Sequence, residues 1–248
     1  MYLIITSPAP KVKWIWLNRP EKRNALCQGL MEELSVEIDV FEESADAVLV
    51  ISGGPDYFSA GLDLKEVFQE TATSMRQGER VGSLWERLSH CIKPTIASVS
   101  GMAFGGGFEL ALMCDMIISC DQAQFRFPEL SVGTIPGLGG SVRLSELVGP
   151  KITSHMIFSG EPITAQRAYD LGIVTKVVSH ESLEAETLEL ASKIALQSLP
   201  LLQKAKQAIL ASTQTNFALK AEKELFYSTF DLPEQKTRMQ AFLEKRLR

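Results

Sequence analysis

Histidine is scarce in this chain. The three present among 248 residues, His90, His155 and His180, stand far apart in sequence. None has metal-ligand spacing and no G-x-S-x-G elbow accompanies them, which argues against a metal centre or a serine triad. The four cysteines, Cys27, Cys91, Cys114 and Cys120, are scattered without paired or metal-type spacing. Cys114 and Cys120 flank an apolar segment and read as small core residues. No apolar run approaches the roughly 18–20 residues that span a bilayer. The opening "MYLIITSPAPKVKWIWLNRP" lacks the basic start, apolar stretch and cleavage site of a signal peptide. The expectation is a cytoplasmic protein with free thiols and no membrane partner. A basic surplus is missing too. The net charge is −5, which leaves no electrostatic footprint for nucleic acid. Charge is nonetheless uneven: residues 201–248 carry nine Lys/Arg against five Asp/Glu. A basic tail on an acidic body could meet a small polyanion, or it could be a solvated helical face.

What is present reads as α/β. The length suits one large domain or a domain with an appendage. "YLIIT" and "KVKWIWL", separated by "SPAP", suggest a hairpin. Leu30, Met31, Leu34, Ile38 and Phe41 repeat with a helical period. "AVLVISG" is then a continuous apolar run of strand length, ended by the glycine loop "GGPDYFSAG". The order recurs. A helix around "SLWERLSHCI" leads to the strand "KPTIASVSG", then "FELALMCD" reads as helix, "MIISC" as strand and "AQFRFPEL" as a strand ending at a loop. "GTIPGLGG" opens another helix, and "TAQRAYDLGIVTKVVS" reads as helix, turn and strand. From Glu181 onward nearly everything is helical. This repetition predicts a layered or spiral α/β body with a helical tail.

Two glycine clusters stand out, and neither carries a nucleotide-binding pattern. "FGGGFE" is not G-x-G-x-x-G, and "GTIPGLGGS" lacks the Lys-Ser/Thr ending of a phosphate loop. Chemistry is left to backbone amides and carboxylates. Gly105 to Gly107 read as a tight turn feeding a helix, which points unpaired N–H groups outward at the positive end of the helix dipole. Such amides can hold a developing oxyanion. Glu109 lies three residues past Gly106, in a stretch otherwise apolar, where a carboxylate needs a partner. Glu129 ends "FRFPE" twenty residues later. Two carboxylates brought to one pocket could divide acid and base roles. Equally, Glu109 could merely complement the dipole and Glu129 could be a surface acid, since spacing alone does not bring them together.

"FSAGLDLKE", "GMAFGGGFELALMCDMIIS", "AQFRFPELSVGTIPGLGGSVRL" and "ITAQRAYDLGIVTKVV" resemble, in order, the motifs of the enoyl-CoA hydratase/isomerase (crotonase) superfamily. The resemblance runs from "LNRPEKRNAL" to "AFLEKRLR", essentially the whole chain. It implies a crotonase-like spiral of repeated β-β-α units over residues 1–195, holding the active site. A helical region over 196–248 would serve packing and trimerisation, giving a homotrimer or a dimer of trimers. The implied oxyanion-hole amides are those of Leu62 and Gly106, and the implied catalytic acids are Glu109 and Glu129. On this reading Glu109 faces a pocket rather than the apolar core. Gly137 matches a position that helps hold the attacking water. Ala60, Leu62, Asp63, Leu64 and Lys65, with Gly106, match the segment along which the coenzyme A arm lies. Phe226 and Lys245 match contacts to the nucleotide end of the ligand, partly across a subunit boundary. One departure is Phe127, where some hydratases carry glutamine, preceded by Arg126. It alters the surroundings expected for Glu129.

The implied activity is hydration of a 2-trans-enoyl-CoA to the 3-hydroxyacyl-CoA, with the acyl-CoA thioester as partner. It needs no metal and no cofactor beyond the coenzyme A of the substrate. The nearest alternative is a shift of the double bond between the 3- and 2-positions, for which one acid at Glu129 could suffice. Another is the same chemistry on a thioester borne by a carrier protein. RNA binding on the same fold would want a basic patch that the net charge argues against. The segment "TATSMRQGERVGSLWERL" is expected to line the acyl tunnel.

Overall fold

The computed structural model describes residues 1–77, 87–211 and 223–245. Strands β1 (Leu3–Ala9) and β2 (Val12–Leu17) form the antiparallel hairpin, with Leu3 opposite Leu17. Strands β3 (Val48–Ser52), β5 (Thr95–Val99), β7 (Met116–Cys120) and β10 (Lys176–Val178) join it in parallel. The six-stranded order is β1-β2-β3-β5-β7-β10. A second sheet is built from β4 (Tyr57–Ser59), β6 (Met102–Phe104), β8 (Gln124–Arg126) and the short antiparallel β9 (Ile163–Thr164).

The chain therefore alternates between sheets. β3, β5 and β7 each leave the large sheet, turn, and are followed by a strand of the small one. A helix closes the unit, Gly106–Met113 after β6 and Gly140–Val148 after β8. This is the repeated β-β-α spiral. Gly101 shows why the corner between β5 and β6 needs glycine: its φ is 57° and a Cβ there would lie 1.8 Å from the Asp56 carbonyl oxygen.

β3 and β5 are buried along their whole length, which explains why they read as unbroken apolar runs rather than alternating ones. The helix Gln28–Glu43 buries Leu30, Met31, Leu34, Ile38 and Phe41, the set its period predicts. The helix Leu183–Ala195 crosses one face of the large sheet, touching β3, β5 and β7. Both sheets share one apolar core with these helices. In the tail, Leu199–Ala211 and Pro233–Lys245 are helical. Lys206 of the first lies 2.7 Å from Asp115 Oδ2 and also donates to the Lys93 carbonyl, fastening that helix to the body.

Three local readings change. Strands β4 and β6 lie where the sequence suggested only glycine loops, because three residues carry no period to detect. Gly105 alone makes the turn after β6, and Gly106 and Gly107 already belong to the helix. β8 stops at Arg126, so Glu129 does not end a strand. It opens a 3-10 helix, Glu129–Val132, after Pro128, which has no N–H to extend a ladder. Of the segment expected to line an acyl tunnel, residues 78–86 lie outside the described residues, as does most of the "SLWERL" helix.

All four cysteines are free and buried. Burial pushes the Cys91 thiol up to about 12, so it stays neutral and unreactive near neutral pH. Among the described residues no helix is long and apolar enough to cross a membrane.

Candidate active site

The glycine turn aims the first half of the site. Gly105 has φ 52°, a backbone position that strains any residue with a Cβ. Its carbonyl accepts from the Glu109 N–H at 3.0 Å, starting the helix Gly106–Met113. Gly106 is the first helical residue, so its own N–H has no partner inside the helix. Beside it runs the Ala60–Leu62 turn. A Cβ on Gly106 would lie 3.5 Å from the Leu62 nitrogen, and one on Gly61 would lie 3.2 Å from the Gly106 nitrogen. Leu26 bonds both neighbours of Leu62: its N–H donates to the Gly61 carbonyl and its carbonyl accepts from Asp63 N–H. Successive amides of an extended chain point opposite ways, so the Leu62 N–H faces away from Leu26 and into the site. Two amide donors thus stand side by side, with no protein acceptor among the described residues.

Glu109 is 2% exposed, although it lies in an apolar helix. What holds it is the second glycine cluster. The N–H groups of Leu138 and Gly140 both donate to its Oε1 at 2.8 Å. Gly140 begins the helix Gly140–Val148, so its amide is an unpaired helix-start donor put to use on a side chain. Phe127, the departure noted above, packs toward Glu109. It is fully buried, packs 4.8 Å from Phe108, and its ring edge sits 2.8 Å from the Cβ position of Gly140. It backs the cradle of Glu109. Arg126 turns aside to donate to the Gly160 carbonyl.

Glu129 arrives from the 3-10 helix. Its Oε1 lies 3.0 Å from the Cβ position of Gly105, and both carboxylate oxygens are buried. Gly105 therefore leaves room for the Glu129 carboxylate where a side chain would stand, and its carbonyl anchors the backbone N–H of Glu109. The amides of Leu62 and Gly106 and the two carboxylates share one cavity of about 420 Å³, which Gly137 also borders. Two carboxylates and a pair of amides facing one space can polarise a carbonyl and move protons at the carbons beside it.

A model of the family described as enoyl-CoA hydratase/isomerase matches residues 9–248. The chain belongs to that family. It is 43% identical over 239 residues to the mitochondrial enoyl-CoA hydratase of Pongo abelii, covering 94% of this chain and 81% of that protein. It is 38% identical to the 2,3-dehydroadipyl-CoA hydratase of Escherichia coli, covering 98% of this chain and 96% of that one. A crystal structure of an enoyl-CoA hydratase/isomerase from Xanthobacter autotrophicus Py2 superimposes with a TM-score of 0.91 at 31% identity, over 98% of this chain and 93% of that one.

Within this enoyl-CoA hydratase/isomerase fold, the cavity gathers most of the residues that the resemblance points to. Ala60, Leu62, Asp63, Leu64 and Lys65 line its entrance side. The Asp63 carboxylate is engaged in building that side. One oxygen caps the helix Leu64–Val67 by accepting from Lys65 N–H at 3.1 Å, and the other accepts from Arg19 at 2.7 Å. Burial works against the Arg19 charge, but the Asp63 hydrogen bond and nearby acids outweigh it and hold the guanidinium above its usual range. Phe226 lies far from the entrance segment in sequence, and its ring is seated on Gly137. Lys245 closes the last helix, and its side chain lies outside the described residues.

Sequence reading missed several members of this family site. Lys22 and Arg23 stand exposed at the cavity mouth near Lys65. Their signal is the cluster of basic residues in "NRPEKRNAL". The amides of Leu138 and Gly140 were missed as the partners of Glu109, although "GLGGS" opening a helix announces free N–H groups. A larger cavity, about 610 Å³, lies between the hairpin and the start of the helix Leu183–Ala195. Its ionisable lining is His180, Glu181 and Glu184, and no sequence-predicted site residue borders it.

Proposed function

We infer that this protein is an enoyl-CoA hydratase, adding water across the double bond of a 2-trans-enoyl-CoA to give the 3-hydroxyacyl-CoA. The observation that carries the reading is the meeting of the Leu62 and Gly106 amides, which have no acceptor among the described residues, with two carboxylates from separate elements. The thioester carbonyl would accept from Leu62 and Gly106, drawing electron density from the β-carbon as an enolate forms. Donors of this kind contribute most where charge develops, with ~100–1000-fold losses on removing one. Glu109, oriented through Oε1 by Leu138 and Gly140, would position the water and take its proton as the oxygen reaches the β-carbon. Glu129 would supply the proton at the α-carbon. The chemistry calls for no cofactor beyond the coenzyme A of the substrate.

The three cations at the mouth, Lys22, Arg23 and Lys65, suit the phosphates of coenzyme A better than an arm carried by a protein. The exposed apolar side chains of the tail favour a homotrimer or dimer of trimers. Free, buried thiols accord with a cytoplasmic location.

Purified protein given crotonyl-CoA should bleach the conjugated enoyl absorbance. Glu109→Gln should remove most water addition, and Glu129→Gln should damage it as well, each by ~100–10,000-fold. Glu109→Gln should keep some double-bond migration if Glu129 carries the proton between carbons. Wild-type protein that is inert with every 2-enoyl-CoA tried, yet conjugates 3-enoyl-CoA, would make isomerase the correct assignment.

A further inference from the structure

The resemblance implies that Phe226 touches the nucleotide end of the ligand. In this chain the ring sits on the backbone of the glycine cluster that holds Glu109. A Cβ on Gly137 would lie 2.1 Å from Phe226 Cγ, so the ring rests on the Gly137 backbone. Gly137 is the residue before Leu138, whose amide grips Glu109. The ring therefore lies one residue along the chain from the amide that grips Glu109 and borders the same cavity, whereas the exposed cations Lys22, Arg23 and Lys65 border it from the entrance segments.

The wall is fixed. Phe226 is 5% exposed, with Phe230 edge-on at 5.3 Å and Tyr227 at 5.9 Å. The segment that carries it is tied to the helix Ala72–Gln77 at two points. Arg76 pairs with Glu224 at 3.0 Å, and Ala72 N–H donates to Asp231 at 3.2 Å. Farther along, Gly133 packs against the Gln235 backbone, where a Cβ would come within 2.6 Å of Cα. A ring packed between a glycine backbone and two aromatic neighbours has no empty space to swing into.

We propose that Phe226 sets the acyl-chain limit of this enzyme, closing the cavity just beyond the reacting carbons and favouring short 2-enoyl-CoA substrates. This rests on the hydratase reading for its substrate class. The thioester carbonyl is placed by Leu62 and Gly106, and the β-carbon by Glu109 and Glu129. The acyl chain must continue past the β-carbon, where Phe226 and Phe230 border the cavity. A cavity of about 420 Å³ that also admits the pantetheine end leaves little room for a long chain.

The test compares Phe226→Leu and Phe226→Ala with wild type, using crotonyl-CoA and trans-2-decenoyl-CoA for turnover. Butyryl-CoA and decanoyl-CoA, which cannot be hydrated, serve for binding by calorimetry. Thermal melting and circular dichroism establish which variants are folded. The expected result is a rise of roughly tenfold or more in the ratio of kcat/KM for the long over the short substrate, since each methylene excluded from a tight pocket is worth about that factor. The Kd ratio of the saturated pair should move the same way, and the effect should be larger for alanine than for leucine. A nucleotide contact would weaken both chain lengths by the same factor and leave both ratios in place, as would a purely structural role. Unmoved ratios in a folded variant overturn the proposal. Because the saturated thioesters report on the wall without turnover, failure of the hydratase reading and failure of this one are separable.

Discussion

At the residue scale, Gly106 shows how a site can depend on a missing methyl group without the fold depending on it. Its φ is not in the left-handed region, and a Cβ would make ordinary contacts at 3.4 Å with Leu26 and Leu138. The same methyl would stand 3.5 Å from the Leu62 nitrogen, in the space a carbonyl oxygen must enter to accept from both amides. Alanine also loses less backbone freedom on folding than glycine. Gly106→Ala should therefore melt at or slightly above the wild-type temperature while kcat/KM falls ~100-fold or more. Melting curves beside steady-state kinetics check this, and near-normal turnover in a folded variant would remove Gly106 from the oxyanion site. Gly105 differs: its positive φ and its contact with Glu129 make it part of the fold and of the site together. The two glycines are adjacent in sequence and alike in composition. Only their dihedral angles and neighbours separate their roles.

Among the elements, the entrance turn owes its shape to one carboxylate. The helix Leu64–Val67 is four residues long, far too short to be stable alone. Asp63 caps it and pairs with Arg19, with side chains only 12% and 16% exposed. Arg19 also donates to the Ala25 carbonyl, so the pair ties the "NRPEKRNAL" loop to the turn carrying Leu62. Asp63→Ala should cost about 2 kcal/mol in urea unfolding, because a largely buried guanidinium loses its close carboxylate and keeps only the Ala25 carbonyl and Glu21 at 3.9 Å. Asp63→Asn keeps an oxygen for the cap and should be less damaging by about 1 kcal/mol. Both should lower kcat/KM, as the Leu62 amide loses its support. Equal stability for wild type and Asp63→Ala would contradict the role given to this pair. The helices and long strands here were legible from period and apolar runs. The short elements β4, β6 and the 3-10 helix at Glu129 were not, since their conformation follows from the pairing of β4 with β6 and of β6 with β8, and from Pro128, rather than from any repeat of their own.

For the whole molecule, the apolar side chains left open are informative. Leu196, Leu201, Ile209 and Leu225 are exposed along the helical tail, with Leu196 at 85%. Isolated exposed leucines are ordinary, but a run of them on the region expected to assemble marks a surface for association. Light scattering at micromolar concentration should give a mass near three or six times 27.4 kDa. Leu201→Asp should shift the population toward smaller species. A clean monomer for the wild type would sink the assembly reading. Tail attachment within one chain does not depend on that outcome, because Lys206 reaches Asp115 and Phe226 reaches Gly137 without a partner.

Sequence alone was enough to determine the alternation of strands and helices, the two glycine clusters, the four candidate positions Leu62, Gly106, Glu109 and Glu129, and the membership of the family. These are properties of composition, period and ordered motif, which survive without coordinates. What only the tertiary structure decided are the meetings. The second glycine cluster holds Glu109 through the amides of Leu138 and Gly140, and Glu129 lies on Gly105. Phe127 faces Phe108, and Phe226 is seated on Gly137. Each joins residues between about 20 and 90 positions apart, and no local propensity encodes such a contact. They follow from packing, where a buried carboxylate must find donors and a ring must fill the space that a glycine leaves.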